Sequence, residues 1–158
     1  MPNAFTEEES KRIRQELILA GIRLSKELGV QKMSVEKLTA AVGIAKGSFY
    51  LFFGSKEDFI LEVAAYASEE TQKMLLKKLN GRTQMSAHEF MEFFNEYLHS
   101  DLDLMNGLTV SDFYWLKNHI KKQVLFDPDM QIKTAQFWLS LISDVREGVD
   151  TGTFVNLI

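Results

Sequence analysis

The 158-residue sequence has no cysteine and only two prolines, Pro2 and Pro128. Without cysteine there is no disulfide framework and no thiolate metal site, which suits a reducing compartment. So little proline leaves most of the chain free to form uninterrupted helices. No apolar run approaches the roughly 18 residues that span a bilayer, and the stretch MPNAFTEEESKRIRQ carries charges where a secretion signal has its apolar core. A cytoplasmic protein is therefore expected. Histidine is scarce and scattered, at His88, His99 and His119, and there is neither a G-x-S-x-G turn nor a glycine-rich phosphate loop. His88 and Glu92, four apart on a helix, read as a surface pair. No enzyme, metal or cofactor is expected.

What charge there is lies unevenly. The net charge is −4, yet residues 10–56 hold nine Lys and Arg against three Glu, whereas residues 61–158 hold nine basic against fourteen acidic side chains. A cationic head on an acidic body is the pattern of a chain that meets a polyanion at one end.

Helical periodicity dominates and no segment alternates as a strand, so the fold class expected is all-α. Thr6 and Glu9 have the spacing of a capping box, and the stripe Ile13, Leu17, Ala20, Leu24 and Leu28 runs to Gly29, where a left-handed residue ends the first helix. Ser34 caps a short second helix, with Met33 and Leu38 placed as a hydrophobic staple, ending near Val42 and Gly43. A third short helix is expected over 46–52. Ser55 caps a long fourth helix that stops before Asn80-Gly81. Further helices are expected over 87–100, 109–125 and 128–147, the last opened by Asp127-Pro128.

The stretch SVEKLTAAVGIAKGSFYLFFGSKEDF, residues 34–59, brings two short helices together at Gly43, with Leu38, Val42, Ile44 and Phe49 placed to lock them steeply against the first helix. The third helix then faces outward. Gly47 permits close approach, Lys46 can meet a phosphate or guanine, and Ser48 and Tyr50 can reach base edges or backbone oxygens.

The run GIAKGSFYLFFGSKEDF resembles the TetR-family signature, and the likeness extends over about residues 10–62. The resemblance implies a helix-turn-helix head at 1–54 and a helical effector-binding and dimerisation body at 55–158. It implies phosphate contacts from Ser34 and Lys56, a groove-facing segment from Lys46 through Gly47 to Ser48, and a backbone contact from Tyr50. Two positions depart from the pattern. Phe52 stands where many relatives have His or Tyr, so that phosphate contact is expected to be missing. Thr39 stands where Ala is usual, tolerable if its hydroxyl finds a carbonyl.

Ten of the eighteen aromatics lie between Phe90 and Trp138. Aromatic stripes usually form core, but with several methionines they can also enclose an adaptable cavity. Phe90, Phe94, Tyr97, Phe113, Trp115 and Trp138 are the candidate lining residues for a small apolar effector. By the resemblance, the chain is expected to be a repressor of double-stranded operator DNA, released by that effector, with the fourth helix as lever. The segment 145–154 resembles the stretch before the family's last long helices, which relatives use to dimerise, so a homodimer is expected, built by such helices or otherwise. The rival expectation is a helical ligand-binding or protein-interaction module that no longer reads DNA.

Overall fold

The computed structural model describes residues 5–120, 128–145 and 148, and the described chain is helical. Helix α1 spans Glu7–Leu28, α2 Val35–Val42, a 3-10 helix Lys46–Leu51, α3 Lys56–Leu79, α4 Ala87–Leu98, α5 Val110–His119 and α6 Pro128–Ser140. The third element is thus wound more tightly than an α-helix and ends at Leu51, one residue before the expected limit.

The helix boundaries follow from local chemistry. Thr6 and Glu9 form a reciprocal capping box at α1, Ser86 with Glu89 does the same at α4, and Thr109 with Asp112 at α5. Ser34 and Ser55 accept from the amides of Lys37 and Asp58 at the starts of α2 and α3. Each such cap is worth about 1 kcal/mol. At the other ends Gly43 (φ 77°) and Asn80 (φ 49°) take left-handed conformations that close α2 and α3.

Helix α6 stops at Ser140, well before the expected residue 147. The chain there turns to pair with the start of α4: the Met85 amide donates to the Leu141 carbonyl at 2.8 Å and the Ser143 amide to the Met85 carbonyl at 2.9 Å. Long-range bonding wins over helical periodicity at this point. Residues 121–127, the end of the expected 109–125 helix and Asp127 among them, lie outside the described residues, as do 149–158.

Two apolar cores result. The first joins α1, α2, the 3-10 helix and the start of α3 around Leu17, Leu38, Phe49 and Phe59, all fully buried, and it includes Leu116 and Ile120 from the end of α5. The second gathers Leu75 and Leu79 of α3, Phe90 and Phe93 of α4, and Leu141, with Trp138 against them. Helix α3 feeds both. Close approach of α1 to α3 depends on Gly21, where a Cβ would lie 2.5 Å from the Phe59 ring.

Candidate nucleic-acid interface

The outward face of the head is built by what its core consumes. Phe49, in the middle of the 3-10 helix, is fully buried, packing on Phe53 and Phe59 with ring centroids 5.3 and 5.5 Å away. Burying that ring turns its neighbours outward: Lys46, Gly47 and Tyr50 are exposed and Ser48 is half-buried. Tyr50 keeps 55% of its surface in solvent while its ring stands nearly perpendicular to that of Phe49, with centroids 5.4 Å apart. A Cβ at Gly47 would meet nothing within 4 Å, so packing within the chain does not require a glycine there. Leu51, at 66% exposure, is an apolar group on the same segment that sequence reasoning passed over.

The turn that sets this geometry holds as expected. Val42 and Ile44 pack against the first core beside fully buried Leu38, and the Ile44 amide donates to the Thr39 carbonyl at 3.0 Å. Thr39 is buried where a smaller residue is usual, and its hydroxyl donates to the Val35 carbonyl at 2.9 Å, the condition under which a polar group is tolerated there. Phe52 is half-buried and packs against Phe5, with centroids 6.0 Å apart, so it serves the core.

Lys46 is not free. Its ammonium pairs with the carboxylate of Glu36, the second residue of α2. The Lys46 hydrogen bond first, then Glu36's own amide and the Ser34 hydroxyl, hold the Glu36 carboxyl down at about 2, and Lys46 is raised in return. The Glu36–Lys46 pair, formed across the turn, is not legible in local spacing because its partner comes from the next element.

Lys56 is turned inward instead. Its ammonium sits 4.4 Å from the centroid of the Trp115 ring and donates to the Gln31 carbonyl at 3.2 Å. Burial pushes its pKa down against the opposing pull of Glu57 and Asp112. This places Lys56 between the loop that follows α1 and helix α5.

That junction is dense. Asp112 of α5, buried, accepts from the Gln31 amide at 2.9 Å and from the Thr109 amide and hydroxyl at 2.9 and 2.6 Å. Burial pushes its carboxyl up, but the amide of Gln31, the hydroxyl and amide of Thr109 and nearby Lys32 outweigh it and leave the pKa below the ordinary value. Lys26 of α1 donates to the Ser100 carbonyl at 2.9 Å.

The six aromatics expected to line one pocket fall into two groups. Phe90, Phe94 and Trp138 meet in the second core, with Tyr97 6.3 Å from Phe94. Phe113 and Trp115 sit on α5, Trp115 against the first core. The two best-formed concavities among the described residues are open grooves, one lined by Glu16, Leu19, Arg23 and Val42 among others, the other by Val110, Phe113, Tyr114 and Lys117. His88 and Glu92 form an exposed pair at 3.5 Å, and no group of three or more metal-ligating side chains occurs among the described residues. No helix among them is long and apolar enough to cross a membrane.

Residues 17–63, which include the turn and the outward segment, match the family model described as bacterial regulatory proteins, tetR family. A comparison with curated proteins finds no match. Among solved structures the chain is similar to a gamma-butyrolactone receptor described as an ArpA-like protein, with a TM-score of 0.62 at 18% identity over 94% of this chain and 75% of that one. It is also similar to CprB from S. coelicolor A3(2), a TetR family protein, with a TM-score of 0.64 at 18% identity over 94% of this chain and 74% of that one. At such identity the likeness is one of fold.

Proposed function

We propose, from the match of residues 17–63 to the tetR-family model and the likeness of fold to TetR-family structures, that this chain is a transcriptional repressor that binds double-stranded operator DNA and is released by a small apolar effector. The observation that carries the DNA-binding part is the exposure of Lys46, Gly47 and Tyr50 around a fully buried Phe49. A segment whose core residue is committed inward and whose remaining groups are a cation, a bare backbone and a phenol suits a major groove. Ser34 at the start of α2 and Ser48 complete the set, while Lys56 contributes from the junction.

Residues 1–54 are proposed as the reading head and 55–158 as the effector-binding and dimerising body. In a homodimer the two outward segments must match successive major grooves, about 34 Å apart. Helix α3, which feeds both cores, is the proposed lever, and α5 is a second connection because Leu116 and Ile120 lie in the head's core. An effector seated among Phe90, Phe94, Tyr97 and Trp138 would displace packed rings, and it would lower operator affinity only by its preference for the displaced arrangement. Phe113 and Trp115 would feel it through α5. The two structural neighbours include one described as a gamma-butyrolactone receptor, a precedent in this fold for a small-molecule trigger.

A reporter joined to the region upstream of the chain's own gene tests the reading. Expression of the chain is expected to lower transcription, the Lys46→Ala/Tyr50→Ala variant is expected not to, and an apolar compound that restores transcription would identify the release. Transcription that both proteins leave unchanged, or raise, contradicts repression.

A further inference from the structure

Leu51 keeps 66% of its surface in solvent, so the fold makes little use of its side chain. Its direction follows from the winding of Lys46–Leu51. Side chains three apart in a 3-10 helix eclipse one another, which sorts the segment into rows. One row is anchored by Phe49, fully buried, and runs on into half-buried Phe52. The others pair Gly47 with Tyr50 and Ser48 with Leu51, and they form the outward face. A scattered surface leucine needs no special account. This one continues the row of Ser48, which belongs to the set proposed above to read DNA, and the row beside it opens with Gly47, where a Cβ would meet nothing within 4 Å. A backbone bare at that point can come close to a partner, and Leu51 is the apolar group it would carry in. The exposed groups around Leu51 are a phenol, a bare backbone and a cation rather than a continuous apolar patch, so a protein partner has little there to bury.

Resting on the DNA-binding reading above, we propose that Leu51 is a specificity-determining residue that reads a thymine through its C5-methyl group. Every base pair offers donors and acceptors to the major groove, but the thymine methyl is the one apolar group displayed there. A leucine that enters the groove gains apolar contact where that methyl faces it. At a base pair without the methyl, the same side chain gains less and strips water from a donor or acceptor to which it offers no bond. The preference is therefore local to one base pair and separate from the phosphate contacts, which hold the chain to any duplex alike. Leu51 is a base contact of dispersion and burial, beside the hydrogen-bonding groups of Lys46, Ser48 and Tyr50.

The test uses the whole chain and a duplex that wild type selects from a library with a randomised central segment. Each thymine of that duplex is replaced singly by uracil, which pairs alike and lacks only the C5-methyl. At one thymine of the site, or at its symmetry mate, wild type is expected to lose about 3- to 5-fold in affinity, the worth of one buried methyl group. Leu51→Ala is expected to keep its melting temperature within about 1–2 °C, since the side chain is exposed. It is expected to bind the selected duplex more weakly than wild type does, to be indifferent to uracil at that thymine, and to respond as wild type does at every other. Its affinity for the unselected library is expected to change less than its affinity for the selected duplex. A wild type indifferent to uracil throughout overturns the inference, as does a Leu51→Ala variant with the wild-type response at every thymine. Equal losses on the selected duplex and on the library place Leu51 against the sugar–phosphate backbone and overturn it too. Failure of wild type to enrich or bind any duplex contradicts the DNA-binding reading itself, which is a distinct result.

Discussion

Asp112 of α5 accepts the backbone amide of Gln31 at 2.9 Å, and its carboxylate fills the space where a Cβ on Gly29 would lie, 2.6 Å from Oδ2. A side chain of α5 thus satisfies the backbone of the loop between α1 and α2. Removing it takes the acceptor from the Gln31 and Thr109 amides in a part-buried setting, where the net loss is about 1 kcal/mol per bond. Asp112→Ala is expected to lower the stability to urea by that order. Gly29→Ala is expected to be at least as damaging, since its φ of 79° is strained for any side chain. A midpoint unchanged in Asp112→Ala would mean the junction does not hold the head to α5.

Gly47 separates folding from binding. No atom lies within 4 Å of a Cβ placed there, and the residue ends no helix. Gly47→Ala is therefore expected to leave the melting temperature within about 1–2 °C of wild type, as surface substitutions do, while weakening binding to duplex DNA several-fold by obstructing close approach. Full DNA affinity in this variant would show that the segment does not approach DNA through Gly47.

Lys46 of the outward segment and Lys56 at the start of α3 are both cations assigned to DNA by the resemblance, but they face different partners. Lys56 lies on the Trp115 ring and the Gln31 carbonyl, whereas Lys46 is exposed beside Glu36. Lys56→Ala is expected to cost less DNA affinity than Lys46→Ala and to change the Trp115 fluorescence, which Lys46→Ala leaves alone. Equal losses of affinity would place Lys56 on a phosphate, as the family resemblance implies.

Acid is expected to loosen the connection between α3 and α4. Glu89 accepts from Arg82 at 2.8 Å and from the Ser86 amide at 2.8 Å, and these bonds, Arg82's first, hold its carboxyl at about 2 against an ordinary 4.5. Its folded pKa is depressed, so its contribution is complete above pH 4.5 and fades as pH falls toward 2. The urea midpoint of wild type is expected to fall across that window by more than that of Glu89→Gln. Parallel declines would mean the bonds are not made in solution.

Local signals were enough for the head. The caps at Thr6, Ser34 and Ser55, the turn at Gly43 and the inward Leu38 and Phe49 all depend on residues within a few positions of one another, and periodicity with capping chemistry locates them. The Thr39 hydroxyl finds its carbonyl four residues back for the same reason. What pattern could not show was partnership at a distance. Asp112 meets Gln31 across 81 positions, and Lys56 meets Trp115 across the head–body junction. Neither leaves a trace in hydrophobic spacing. The grouping of ten aromatics likewise gave no hint that Trp115 would join the head's core while Trp138 joined the other. Helix α6 ended early because Met85 claims the Leu141 carbonyl, again a contact between segments far apart in sequence.

The most direct measurement is the affinity of the whole chain for duplex DNA taken from upstream of its own gene, at about 50 and 200 mM salt, beside Lys46→Ala/Tyr50→Ala and with helicity checked for both. Phosphate contacts release counterions, so wild-type binding is expected to weaken steeply between the two salts, and the double variant, folded to the same extent, is expected to lose the specific part. Binding that is insensitive to salt, or that the double variant retains in full, would contradict a DNA-reading head built around Lys46 and Tyr50.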